Sequence, residues 1–130
     1  MIVDTSALVA ILKREPGWRA YAIALDTSRR SSISAPTFVE LSIVADGLKN
    51  PTLSRRVEEI IEQFHIGIEP FTFEQAKAAR QAYRDYGKGS GHPANLNFGD
   101  CFSYALAREK REPILFKGED FSQTDLRRAV

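Results

Sequence analysis

Four acidic residues of this 130-residue chain stand where short apolar segments end: Asp4 after "MIV", Glu40 in "APTFVEL", Asp100 in "NFGDCF" and Asp120 after "PILFKGE". Singly, each has an ordinary structural reading. An acid in the first turn of a helix is stabilised by about 0.3–1 kcal/mol through the helix dipole and the unsatisfied amides there. Asp4 qualifies as a cap, Glu40 as the partner of Thr37 in a capping box, and Asp100 as the third residue of a helix capped by Asn97. Together they ask for more, because carboxylates converging on one cleft repel one another and resist desolvation unless cations offset them. Their sequence neighbours are Val3, Thr5, Phe38, Leu41, Gly99 and Cys101, with Lys117 the only nearby cation. A divalent metal relieves such repulsion. With a single cysteine and histidines only at His65 and His92, the donor set suits a hard ion, Mg²⁺ or Mn²⁺, rather than zinc. Such an ion activates water and steadies the charge that develops on a phosphoryl oxygen.

Bringing these acids together requires a parallel sheet. "MIV" predicts a buried strand, followed by a helix over residues 5 to 14 that "EPG" at 15 to 17 ends, and Trp18, Tyr21, Ala22 and Leu25 resume helical spacing. "SISAP" predicts a second strand ending at Pro36, and the Thr37/Glu40 capping box opens a third helix. After Asn50-Pro51, Leu53, Val57, Ile60, Ile61 and Phe64 form the apolar stripe of a fourth helix. Ile66 and Ile68 alternate as a third strand ended by Pro70, and a Thr72/Gln75 box starts a helix that Gly87 caps. A loop over 87 to 97, a helix from Asn97, a strand "PILF" at 113 to 116 and one further short strand complete the chain. Strands alternating with helices predict an α/β fold with right-handed crossovers and sites at the carboxyl ends of the strands.

Composition narrows the class without deciding it. A chain of this length forms one domain, 1–130, large enough to fold without disulfide or metal. Apolar content of 43% and charged content of 27% are those of a soluble protein. "ALVAIL" is too short to span a bilayer and lacks a basic segment before it, so the expected location is cytoplasmic with no membrane contact. Cys101, inside "DCFSYALA", is expected to be a small buried filler. The net charge of +1 gives no overall signal for nucleic acid. Ser6 and Ser103 have no histidine in a suggestive context, His65 is expected to be partly buried, and His92 lies in a mobile-looking loop. "GKGSG" at 87–91 lacks the strand and lysine placement of a phosphate-binding loop.

In order along the chain, "MIVDTSALVAIL", "APTFVEL", "NFGDCFSYALA" and "PILFKGEDF" resemble the PIN-domain ribonucleases, specifically the VapC toxins of VapBC toxin-antitoxin pairs, over essentially its whole length. The resemblance implies a PIN-like α/β/α sandwich with a central parallel sheet of four or five strands flanked by helices. It also implies an RNA endonuclease using Mg²⁺ or Mn²⁺ held by Asp4, Glu40 and Asp100, a homodimer, and a VapB-type antitoxin that blocks the site. Thr5 or Ser6 matches a family hydroxyl that bonds the metal water or the scissile phosphate; a helix-capping role is the equal alternative.

The family's Thr, and the acid two residues on, fall here on Phe116 and Gly118, which displaces the fourth acid to Glu119 or Asp120, with Asp125 further along. Asp120 is the expected one. Gly118 permits the turn back over the strand end, Phe121 can anchor it, and the shorter Asp is better fixed than Glu. Two rivals remain: a non-catalytic relative binding RNA or protein, expected to lack one of the acids, and a receiver-like phosphoacceptor using Lys117, which needs an aspartate at the end of a central strand where "IGIEPF" offers only Glu69.

Overall fold

A computed structural model describes all 130 residues. The elements are β1 (Ile2–Val3), α1 (Thr5–Lys13), α2 (Trp18–Thr27), β2 (Ser31–Ser34), α3 (Ala35–Gly47), α4 (Pro51–Gln63), β3 (Ile66–Glu69), α5 (Phe73–Tyr86), α6 (Phe98–Lys110) and β4 (Ile114–Leu115), followed by a 3₁₀ turn over Asp120–Gln123. The four strands form one parallel sheet in the order β3-β2-β1-β4. Ile2 registers with Ser32 on one side and Ile114 on the other, and Val3 with Leu115. The fifth strand allowed by the sequence is reduced to a single parallel bridge between Ile114 and Arg128.

β1, β2 and β4 are buried throughout, whereas the edge strand β3 is largely exposed beyond Ile66, and the alternation of side chains along the strands divides the core in two. Val3, Ile33 and Leu115 point into a cluster with Leu8, Ile11, Leu41, Ile60 and other residues of α1 to α4. Ile2, Ile114 and Phe116 point the opposite way, against Ala79, Ala82, Tyr104, Ala105 and Leu106 of α5 and α6. The result is an α/β/α sandwich. Because every strand runs the same way, every strand's carboxyl end lies at one edge of the sheet, as the sequence predicts.

Several local expectations are corrected. β2 ends at Ser34, and Pro36 lies inside the first turn of α3, where its fixed φ suits a helix start and its missing N–H costs nothing. Helix entry three residues earlier, with Ser34 at the N-cap, leaves Thr37 buried in the first turn of the helix, and no Thr37/Glu40 capping box forms. At α5 the Thr72 side chain accepts from the Gln75 amide, but the Gln75 side chain turns instead to Glu109 and the Pro70 carbonyl. His65 is exposed, with φ 50°, in the turn before β3. The loop over 87 to 97 is held in place: Gly87 bridges to Leu96, Ala94 and Leu96 are buried, and the His92 ring packs edge-on against Tyr86.

Candidate active site

Asp4 leaves β1 as the N-cap of α1. Its backbone N–H donates to the Leu115 carbonyl, which fixes the carboxylate at the sheet edge between β1 and β4. Its side chain is 4% exposed and is held from both sides: Oδ2 accepts from the Ser6 amide (3.0 Å) and hydroxyl (2.7 Å), and Oδ1 accepts from the Ser103 hydroxyl (2.7 Å). Ser6 Oγ also accepts the Lys117 amide, linking Asp4 to the end of β4. Capping and site formation are one arrangement here.

Glu40 lies a little over one turn into α3, and its Oε1 accepts from the Thr5 hydroxyl at 2.5 Å. Its other oxygen rests against Gly99 so closely that a Cβ there would stand 1.9 Å from Oε2. Asp100, at the third position of α6, completes a full capping box: Asn97 Oδ1 accepts the Asp100 amide and Asp100 Oδ2 accepts the Asn97 amide, both at 2.9 Å. Burial pushes the Asp100 carboxyl up to about 7, against the Asn97 bond, and the charges of Asp4, Asp120 and Glu40 add to the rise. Glu40 is likewise raised, by burial first and by the Asp4 charge, with the Thr5 bond opposing. Asp100 therefore feels the other three acids, and Glu40 feels Asp4. Glu119 and Asp125 are not among the charges that raise Asp100.

Asp125 is occupied elsewhere, accepting from Tyr104 (2.7 Å) and Arg108 (2.5 Å). Lys117, the one cation near the cleft in sequence, is paired with Glu15. The cluster is thus oriented by hydroxyls and amides alone, donors that fix a carboxylate without neutralising it. All of its donors are hard oxygens, which is the chemistry of a Mg²⁺ or Mn²⁺ site. No three acid, imidazole or thiol groups stand close enough together to form a coordination shell.

Thr5 and Ser6 are both present in the cleft, each donating its hydroxyl proton to a carboxylate. Two contributors escaped the sequence reading. Ser103 locks Asp4 and also lies 3.4 Å from the buried Thr37 hydroxyl; its place three residues after Asp100, on one helical face, is the signal that would have found it. Gly99 supplies space for Glu40, and only its position beside Asp100 hinted at that. Cys101 is buried, as expected, and burial raises its thiol to about 11, away from any nucleophilic role. A receiver-like site finds no support, because Glu69 at the end of β3 is paired with Arg30 and Lys110.

The family described as "PIN domain" matches residues 1–126. The chain is 52% identical over 130 residues to Ribonuclease VapC28 of Mycobacterium tuberculosis, an alignment covering 100% of this chain and 98% of that one. It is 50% identical over 129 residues to Ribonuclease VapC42 of the same species, covering 99% and 98%. Among solved structures, the fold superposes on Mycobacterium tuberculosis VapC20, described as a Sarcin-Ricin loop cleaving toxin, with TM-score 0.77 at 16% identity over 96% and 95% of the two chains. It also superposes on FitAcB from Neisseria gonorrhoeae, with TM-score 0.72 at 22% identity over 97% and 94%. At such identities these two likenesses speak to the fold.

Proposed function

This chain belongs to the PIN-domain family, among the VapC ribonucleases, and from that premise we propose that it is a metal-dependent endoribonuclease, the toxin of a toxin-antitoxin pair. The observation that carries the catalytic reading is the buried Asp100 carboxyl, raised by the charges of Asp4, Asp120 and Glu40 with no cation of the protein's own opposing them. Asp4, Glu40 and Asp100, with Asp120 as the fourth acid, are the residues that would hold Mg²⁺ or Mn²⁺. The ion, when bound, supplies an activated water and stabilises charge on the scissile phosphate. The chain's own contribution is orientation: Ser6 and Ser103 fix Asp4, Thr5 fixes Glu40, and Asn97 fixes Asp100. Thr5 and Ser6 also stand at the cleft, where their remaining lone pairs face substrate or metal-bound water.

The partner antitoxin is expected to place an arginine or lysine against Asp4 and Asp100, replacing the metal's charge by charge-assisted hydrogen bonds. A homodimer fits the apolar surface of α3, where Val39, Ile43 and Val44 are 54%, 66% and 38% exposed. No helix is long and apolar enough to cross a membrane; a single cytoplasmic domain is the reading adopted. The non-catalytic alternative loses ground because every one of the four acids is present at the sheet edge. Cleavage of single-stranded RNA by the purified chain with Mg²⁺ or Mn²⁺, abolished by EDTA and by Asp100→Asn, is the deciding assay; cleavage that survives either treatment rejects the reading.

A further inference from the structure

Asp120, unlike the other three acids, stands in a segment with little structure of its own. After β4 the chain turns at Gly118, with φ 103°, into the 3₁₀ turn over Asp120–Gln123, and every residue from Lys117 to Gln123 except Phe121 is exposed. A 3₁₀ turn this short has poor hydrogen-bond geometry and holds itself weakly. Asp120 nevertheless stands close enough to Asp100 for its charge to raise that carboxyl. Something outside the turn must hold it there.

Two anchors do so. The first is apolar: the buried Phe121 ring meets Phe116, the residue after β4, edge-on at 5.1 Å. The second is Arg128, whose guanidinium lies over the Phe116 ring at 4.3 Å from its centroid. Its Nη1 donates to the Gly118 carbonyl (3.1 Å) and to the Ser122 hydroxyl (3.0 Å), and its Nε donates to the Val130 carbonyl (2.6 Å). One nitrogen thus ties together residues on either side of Asp120. Arg128 pairs with no aspartate or glutamate, Asp120 included, so it holds the turn without neutralising the acid. Its own place is set by the main chain: the Ile114 amide donates to the Arg127 carbonyl and the Ala129 amide to the Ile114 carbonyl, both at 2.9 Å. Ile114 in turn registers with Ile2 of β1, the strand that ends at Asp4. The hold on the fourth acid and the hold on the first are therefore built on the same pair of strands.

We propose that Arg128 is a positioning residue for metal binding: its side chain clasps Gly118 and Ser122 so that Asp120 is presented to the ion held by Asp4, Glu40 and Asp100. This role rests on the ribonuclease reading and on Asp120 as the fourth acid. Charge and clasp act in opposite directions here. Removing a cation near an anionic cleft by itself favours a divalent ion, whereas releasing the turn disfavours it, so the sign of the change separates the two.

Calorimetric titration of Mn²⁺ into the full metal-free chain reads that sign. Arg128→Gln should weaken binding several-fold, short of the ~10-fold at which loss of a ligand's support ordinarily begins, and should add nothing in an Asp120→Asn background. Arg127→Gln removes the same charge one residue away, from a side chain that reaches only the Arg111 carbonyl (3.4 Å); it should bind the ion as tightly as the unaltered chain or more tightly. Hydrogen exchange without metal gives a second readout. The Ser122 and Thr124 amides, which donate to the Glu119 and Phe121 carbonyls, should lose protection in Arg128→Gln while the sheet amides keep theirs. Unchanged or tighter Mn²⁺ binding in Arg128→Gln overturns the clasp, as does unchanged protection at those two amides. An equal further loss of affinity in the Asp120→Asn background also overturns it, since Arg128 would then act on the fold at large. RNA cleavage keeps the two readings apart: a chain whose cleavage depends on Mn²⁺ and Asp100 while Arg128→Gln binds the ion unchanged loses only the clasp, whereas one that neither binds the ion nor cuts RNA loses the ribonuclease reading with it.

Discussion

Acids occur in two settings in this molecule. On its flanks, Glu15 pairs with Lys117 and Lys13, Glu69 with Arg30 and Lys110, and Asp125 with Arg108. At the carboxyl edge of the sheet, Asp4, Glu40 and Asp100 receive protons only from serine, threonine and backbone donors. The protonation behaviour follows the difference. Glu15 is held below its ordinary value, first by its bond to Lys117, whereas Glu40 and Asp100 are pushed upward, first by burial. A carboxylate met by a cation is finished; one met by neutral donors is positioned and still charged, which leaves it available to something that arrives later.

The sharpest way to break this distinction is to neutralise one member of each group. Asp100→Asn should lower RNA cleavage by on the order of 10³-fold, the scale of losing several kcal/mol of charge stabilisation, while leaving the metal-free fold as stable or more so. Glu15→Gln should leave cleavage unchanged and lower stability by less than ~1 kcal/mol, as for an exposed pair. Cleavage rates and melting curves on the two purified variants decide it; an active Asp100→Asn protein ends the distinction.

Acidity provides the next test. Asp100 titrates near 7 in the fold against an ordinary 3.8, so between those values the folded state holds a proton that the unfolded state has released. The contribution of Asp100 to metal-free stability is therefore highest below about pH 4, falls as pH rises towards 7, and levels off above it, by roughly 4 kcal/mol at most. Chemical denaturation in EDTA across that range should show the decline. Added Mg²⁺ should flatten it and release protons on binding.

Gly99→Ala sharpens the point sterically. Alanine is the better helix former, yet its Cβ would collide with Glu40, so we expect about a 10- to 100-fold loss of metal affinity, the scale seen when the support of a ligand is removed. In a Glu40→Ala background the same change should cost nothing further, a coupling that calorimetric titration of the two single variants and the double variant would reveal. Ser103→Ala should cost ~10-fold in metal affinity through a loosened Asp4, with little change in cleavage pH profile. The smallest effect belongs to the fourth acid. Asp120→Asn should raise the metal requirement less than Asp4→Asn does, since Asp120 is exposed and is expected to act partly through water, and Glu119→Gln should leave it unchanged. The reverse order in Mg²⁺ and Mn²⁺ titrations would reassign that position.

The sheet edge was legible in the sequence because short apolar runs and helix punctuation are local signals: "MIV", "IGIEP" and "PILF" sit at strand positions, and Asp4, Asn97 and Asp100 sit at caps that form as their residue types predict. The Thr37/Glu40 box was misread for a local reason too, since Pro36 can end a strand or begin a helix and the two readings differ by three residues, most of a turn. What stayed hidden was lateral. That Ser103 would donate to Asp4, 99 residues away, that Thr5 would donate to Glu40, and that Gly99 would make room for it depend on how α3 and α6 cross the sheet. No spacing rule along the chain carries that information.

The central position of β1 bears on when the site can exist during synthesis. Asp4 emerges first, but the strand that carries it is flanked by β2 on one side and β4 on the other, and its amide is held by Leu115. Translation at ~5–20 residues per second separates the making of Asp4 from that of Asp120 by roughly 6 to 23 seconds. Through that interval a nascent chain holds at most part of the carboxylate set and lacks the strand that pins the first of them. The set of acids that makes up the site is therefore incomplete until nearly all of the sequence has been read.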